Sequence, residues 1–197
     1  MTDMDRGSEL EVVARLRAGD DVAFAAVYTA FNARLFNFLA RLARRRDVAE
    51  DLLEETWLRV VAVAPRLRPD TRLGPFLFTI ARNLHVSYCR SRMLEDSRTA
   101  DMIGLWPLGT PHPSPFEVTV ASETEIRIDR ALASLPAVSR EALLLSAVEG
   151  LRPAEAAIVC GISPEAMRQR LSRARAEVAR QLDSDEHLLF AMKTVTT

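Results

Sequence analysis

The chain has 197 residues, 48% of them hydrophobic, enough for one large or two small packed domains, and this excludes a wholly disordered protein. A net charge of −1 looks wrong for a nucleic-acid binder, but the charge is uneven: residues 1–92 sum to +3, 93–128 to −4, 129–182 to +2 and 183–197 to −2. No apolar stretch approaches the roughly 18–20 residues that span a bilayer, and Met1 to Gly7 carries no signal-peptide pattern, so a cytoplasmic chain without membrane insertion is expected.

Along the chain almost everything reads as helix. Ser8 with Glu11 makes a capping box for a first helix that Gly19 closes. Asp20 and Asp21 start a long amphipathic helix through Phe24, Val27, Tyr28, Phe31, Leu35, Phe38 and Leu42, ending in Arg44, Arg45 and Arg46. Asp47 and Glu50 form a second capping box, followed by the apolar stripe Leu53, Trp57, Val60, Val61 and Ala64. Pro65 to Gly74 is a basic, turn-rich loop, and Pro75 suits the first turn of the next helix, with Phe76, Leu77, Ile80, Leu84 and Tyr88 as its buried stripe.

From Met93 to Ala121 the periodicity disappears, and Gly104, Pro107, Gly109, Pro111, Pro113 and Pro115 punctuate the segment. Residues 93–128 are therefore expected to be a flexible, acidic, Pro-rich linker between domains at 1–92 and 129–182, with 183–197 as a tail. Order resumes with Ser122 and Glu125 in a third capping box, a helix to about Leu135, and another from Pro136 to Glu149. A short helix, a turn at Gly161, and a helix capped by Ser163 with Pro164 at its first position complete a helix-turn-helix pattern. The fold class expected is all-α, two helical domains with a C-terminal helix-turn-helix.

Three segments carry chemistry. In the last helix Met167, Leu171, Ala174 and Val178 face a core. The other side presents Glu165, Arg168, Gln169, Ser172 and Arg173, flanked by Arg170, Arg175 and Arg180. An Arg fork pairs with guanine edges in the major groove, Gln can pair with adenine, and remaining cations hold phosphates. A solvated Arg-rich face is the plain alternative in a chain with 25 Arg among its 26 basic residues, and the tight turn before the helix favours DNA.

The second segment joins the loop cations Arg66, Arg68 and Arg72 to a helical face bearing Arg82, Asn83, Val86 and Arg90, beside Phe76 and Phe78. Cations with exposed aromatics hold single-stranded bases, although such phenylalanines are more often core. The third is the acidic face Asp51, Glu54 and Glu55, equally a solvated helix start or a dock for a basic helical partner.

Cys89, Cys160, His85, His112 and His187 are scattered and make no zinc spacing. No Gly-rich phosphate loop and no nucleophile with its base stand out. No cofactor, metal, small-molecule substrate or enzymatic activity is expected.

Read as runs, these segments resemble one family. Ala49 to Arg59 (AEDLLEETWLR) is similar to the polymerase-binding motif of the extracytoplasmic-function (ECF) sigma factors, of the sigma-70 kind. Phe76 to Leu84 (FLFTIARNL) resembles that family's promoter-melting segment, and Gly150 to Ala157 with Arg168 to Arg175 its helix-turn-helix for the minus-thirty-five element. The resemblance implies that residues 1–92 form the domain that binds core RNA polymerase, through Asp51, Glu54, Glu55, Trp57 and Arg59. Arg66, Arg68, Arg72, Phe76, Arg82, Asn83 and Arg90 would take the minus-ten DNA of a promoter, whereas Arg168, Gln169, Arg170, Ser172, Arg173 and Arg175 would read the minus-thirty-five duplex. It further implies an anti-sigma factor as a partner, and an acidic connector that threads the polymerase's RNA channel. Phe76 stands where the family usually has Trp, Ser87 where it has Asp, and Ala166-Met167 where it favours Thr-Val; Arg152-Pro153 replaces a Ser-type cap. These departures bear on which promoter is read. The alternative is a helix-turn-helix regulator that binds duplex DNA without polymerase, which has no need of the acidic 47–59 helix.

Overall fold

A computed structural model describes the backbone of residues 6–103 and 123–195, and side chains over 6–94 and 127–182. Most of the described residues are helical, with no strand among them. The chain divides into two compact units, Met1–Ser114 and Pro115–Thr197.

The first unit holds α1 (Arg6–Arg17), α2 (Asp21–Ala43), α3 (Arg46–Val63), a 3-10 turn (Ala64–Arg66) and α4 (Leu73–Ile103). Gly19, at φ +76°, stops α1 in the left-handed region that only glycine enters at little cost. Asp20 then caps α2, its Oδ1 accepting from Val22 N–H at 2.8 Å and Ala23 N–H at 3.2 Å. Val27, Phe31, Leu35, Phe38 and Leu39 form the buried stripe of α2, and Phe38 meets Phe78 of α4 edge to face at 5.2 Å. Leu52, Thr56 and Val60 of α3, with Leu73, Leu77, Ala81 and Leu84 of α4, close the core. Arg44 ends α2 at φ +56°, a left-handed cap without glycine, leaving only Arg44 and Arg45 between α2 and α3.

By length and composition α2 is long and apolar enough to cross a membrane, contrary to the expectation from sequence, because a sliding average credits its alanines and phenylalanines. Its buried stripe packs against α3 and α4.

The expected capping boxes form unevenly. Helix α1 begins at Arg6, so Ser8 lies inside its first turn. Arg45 precedes α3 with no side-chain cap: Asp47 pairs back to Arg45, and Glu50 takes Arg46 at 2.9 Å. Neighbouring arginines capture both carboxylates, which still complement the positive helix end. Ser122 lies outside the described residues.

Two helices run further than their apolar periodicity. Helix α4 continues past Arg92 to Ile103, so the first part of the expected 93–128 linker is helical, since no Gly or Pro intervenes between Pro75 and Gly104. A helix can outrun its packed face as a polar rod. At the other end α5 (Glu123–Ser134) makes residues 123–128 helical too.

The second unit continues with α6 (Ala137–Leu143), a π-helical turn (Leu144–Val148), α7 (Pro153–Cys160) and α8 (Pro164–Val195). Leu132, Leu135, Leu144, Leu145, Ala156, Val159, Met167 and Leu171 make its core. Arg140 is buried and satisfies the carbonyls that end α5, donating to Leu132 O at 2.9 Å, Ala133 O at 2.9 Å and Leu135 O at 3.0 Å. The backbone of α8 carries helix through Val195, across most of the expected tail.

Candidate functional site

Three surfaces bear the residues singled out by sequence. On the first unit α2 and α3 leave an open groove of about 410 Å³, lined by Phe24, Tyr28, Asn32, Glu50, Leu53, Glu54, Trp57, Leu58 and Val61. Its floor is aromatic: Trp57 stands 5.8 Å from Phe24, edge on, and 4.9 Å from Tyr28. Trp57 is 7% exposed and Leu58 is 60% exposed, so the groove pairs a fixed aromatic floor with an open aliphatic edge. Glu50 and Glu54 add negative charge to the lining.

Of the five residues expected to bind polymerase, Glu54 and Trp57 line this groove. Asp51, Glu55 and Arg59 do not. Asp51 and Arg59 are exposed, and Glu55 is tied to Arg59 by a 2.9 Å ion pair. Sequence reasoning gave no binding role to Phe24 and Tyr28, which it placed on the apolar stripe of α2, and held Leu58 only as part of the Ala49–Arg59 run. It gave Glu50 a capping role and a place in that same run, and Val61 a place on the apolar stripe. One signal was available: α3 carries more apolar residues than one buried face can hold, so some had to face outward.

The second surface joins the loop 67–72 to the outer side of α4. Arg66 and Arg68 are exposed, and Arg68 Nε lies 3.4 Å from Asp70. Arg72 is half-buried beside Glu9 of α1, at 3.1 Å. Phe76 is half-buried and Phe78 fully buried against Phe38, so Phe78 is core and the expected pair of exposed aromatics reduces to Phe76. Ile80 and Tyr88, read as buried, are half-buried, and Ala81 takes the core position. Asn83 and Arg90 are exposed and Arg82 half-exposed. Cys89 lies nearby with its thiol 3.6 Å from His85 Nε2, and burial pushes that thiol above its ordinary range.

The third surface is the helix-turn-helix. Gly161 ends α7 at φ +65°, Ile162 N–H donates to Ala157 O at 3.1 Å, and Ser163 Oγ caps α8 by accepting from Ala166 N–H at 3.1 Å. Met167, Leu171 and Ala174 are buried as expected, which turns Arg168, Gln169, Ser172, Arg173 and Arg175 outward and leaves Arg170 half-buried. Glu165 accepts from Arg168 Nε at 3.0 Å and from Gln169 Nε2 at 3.4 Å. The Arg168 hydrogen bond holds the Glu165 carboxyl below its usual range. A protein thiol, Cys160, is buried behind this motif and donates to Glu141 at 3.5 Å. Among the described residues no cluster of three or more His, Cys, Asp or Glu is placed to hold a metal.

The geometry has named relatives. Residues 27–94 match the family model of sigma-70 region 2, and residues 125–178 match that of sigma-70 region 4. The RNA polymerase sigma factor CarQ of Myxococcus xanthus is 35% identical over 81% of this chain and 88% of its own length. The chain belongs to the ECF sigma factors. Another relative of this sigma factor is the ECF sigma factor EcfG of Rhodopseudomonas palustris, 35% identical over 75% of the chain and 78% of its own length. The chain spans 36% of the length of the sigma factor RfaY of Xanthomonas campestris, with 38% identity. Among solved structures, the sigma factor RpoE of Bartonella quintana, in complex with the anti-sigma factor NepR, is 28% identical with a TM-score of 0.67, covering 82% of this sigma factor and 98% of that chain. The groove and the loop–α4 surface thus lie mainly in the region-2 match, and the helix-turn-helix lies in the region-4 match. Helix α1 precedes both.

Proposed function

We propose that this sigma factor docks on core RNA polymerase through the α2–α3 groove, reads minus-thirty-five duplex with the outer face of α8, and takes unpaired minus-ten bases on the loop–α4 surface. One observation carries the reading. A single chain combines an apolar groove lined by Glu50 and Glu54, which fits a helical protein partner, with an Arg-rich helix in a complete helix-turn-helix, which fits DNA. In this reading residues 1–92 serve polymerase and minus-ten DNA, and residues 129–182 serve minus-thirty-five DNA.

The protein catalyses no reaction of its own in this reading and acts in the cytoplasm, where its polymerase works. An anti-sigma factor is the partner that would cover the same docking surfaces; support comes from the Bartonella quintana relative, which was solved with one. A regulator that binds duplex DNA alone would leave the groove without use.

Run-off transcription with core polymerase on a promoter library tests this. Specific initiation that depends on the added protein is the expected result. Duplex binding without any affinity for core would overturn the reading and leave a plain regulator.

A further inference from the structure

Helix α1 supplies no residue to the groove or to the helix-turn-helix, yet it carries a buried carboxylate. Glu9 is 8% exposed. Its Oε1 accepts a 2.8 Å hydrogen bond from the backbone N–H of Leu73, sixty-four residues away, at the start of α4. Its Oε2 accepts from Arg6 Nη1 at 2.8 Å and lies 3.1 Å from Arg72 Nε. Arg6 extends the connection, donating from Nη2 to the carbonyl of Asp70 at 2.9 Å. Residues 70, 72 and 73 are thereby all held by α1. Leu67 and Leu73, both buried, fix the two ends of the same loop.

An ordinary helix cap is the simpler account, but it leaves the choice of residues unexplained. Helices α2 and α8 take local side-chain caps, Asp20 and Ser163, and α3 takes none; α4 alone among these draws its cap from a residue sixty-four positions away. At α4 the residue before the helix is Arg72, whose carbonyl accepts from Phe76 N–H at 3.0 Å. A cation there opposes the positive end of the helix dipole. Arg45 and Arg152 stand at the same position before α3 and α7, so the cation alone singles nothing out; at α4 it adjoins the exposed Arg66 and Arg68, and the three together suit phosphate. The carboxylate imported from α1 neutralises Arg72 and supplies the missing cap in one group.

We infer that Glu9, with Arg6, is a positioning residue for promoter opening: it fixes the 67–72 loop and the first turn of α4 in the shape that accepts an unpaired minus-ten base. The inference rests on the loop–α4 surface being the minus-ten site, as proposed above. Glu9 itself touches no DNA. It acts through the backbone of Leu73 and the side chain of Arg72.

The test uses the full chain with core polymerase. Glu9→Gln keeps the side-chain shape and an acceptor for Leu73 N–H but removes the charge facing Arg72; Arg6→Gln removes the tie to Asp70. Three quantities are read: affinity for core, opening of a duplex promoter carrying 2-aminopurine in the minus-ten element, and preference among the four bases on a template already unpaired there. Both variants should bind core like the parent, while opening falls about tenfold, as for loss of one charge-assisted hydrogen bond, and base preference on the unpaired template flattens. Parental opening with parental base preference would overturn the inference, and so would core affinity falling in step with opening, which marks a merely structural role. If Glu9→Gln does not fold, Arg6→Gln decides, since that side chain is 41% exposed. Failure of the underlying reading looks different: the parent itself would then show no opening and no base preference.

Discussion

The indole Nε1 of Trp57 donates a 2.9 Å hydrogen bond to Oδ1 of Asn32, fastening α3 to α2 within the lining of the groove. With the polar end of the ring satisfied, its face is held toward Phe24 and Tyr28. Asn32→Leu leaves that N–H without its partner and should cost about 1–3 kcal/mol of stability. Urea denaturation checks this, and Trp57→Phe in the same background should recover part of the loss because the stranded donor is gone.

The open edge of the groove should matter more for assembly than for folding. Leu58→Asp is expected to weaken core binding by tenfold or more, the order of effect seen when an apolar interface anchor is lost, with the melting temperature unchanged. Reversing Asp51 and Glu55 together should also abolish assembly while leaving the fold intact. Fluorescence titration against core separates the two cases. Parental affinity for Leu58→Asp would remove the groove from the docking surface, and parental affinity for the double reversal would remove the acidic face.

On α8 the contacts predict two opposite effects. Arg173→Ala should cost about 1–3 kcal/mol at a minus-thirty-five duplex, as for a lost base or phosphate contact. Glu165→Gln should strengthen duplex binding, since Glu165 repels phosphate and holds Arg168 and Gln169 to itself. Binding isotherms at two salt concentrations read both, and the slope with salt should steepen for Glu165→Gln.

Asp20 gives a pH dependence with a defined sign. The Arg15 side chain, hydrogen-bonded to it at 2.7 Å, and the N–H groups of Ala23 and Val22 hold its carboxyl below the usual range. A carboxyl depressed in the folded state stabilises above its unfolded value, and that contribution is lost as pH falls through the folded one. The melting temperature of the parent should therefore drop on acidification through this window. Asp20→Asn keeps an acceptor for the cap and should flatten that part of the profile. An unchanged acid limb would deny Asp20 any share in it.

The all-α class, the helix order and the helix-turn-helix were legible because periodicity and caps are local signals: Asp20, Gly19, Gly161 and Ser163 each act within a few residues of themselves. Less legible were features that depend on distant groups. Glu9 carries no local signal and gains its role only when Leu73 is brought to it, and Tyr28 sits on the apolar stripe of α2 yet is 42% exposed. Phe78 shows the reverse, since only packing on Phe38 removes it from the DNA-facing side. Helix ends failed where an apolar stripe stopped but no Gly or Pro did the stopping, as after Arg92.

The two-residue corner at Arg44 and Arg45 keeps the whole groove within one short stretch of chain, from Phe24 to Val61. Its contacts are local in sequence, the kind that form quickly and early. During synthesis from the N-terminus, every residue of its lining leaves the ribosome well before Arg173 of the DNA-facing helix has been made. The groove thus precedes the Arg-rich helix in synthesis, and for part of that time the nascent chain presents the one surface without the other.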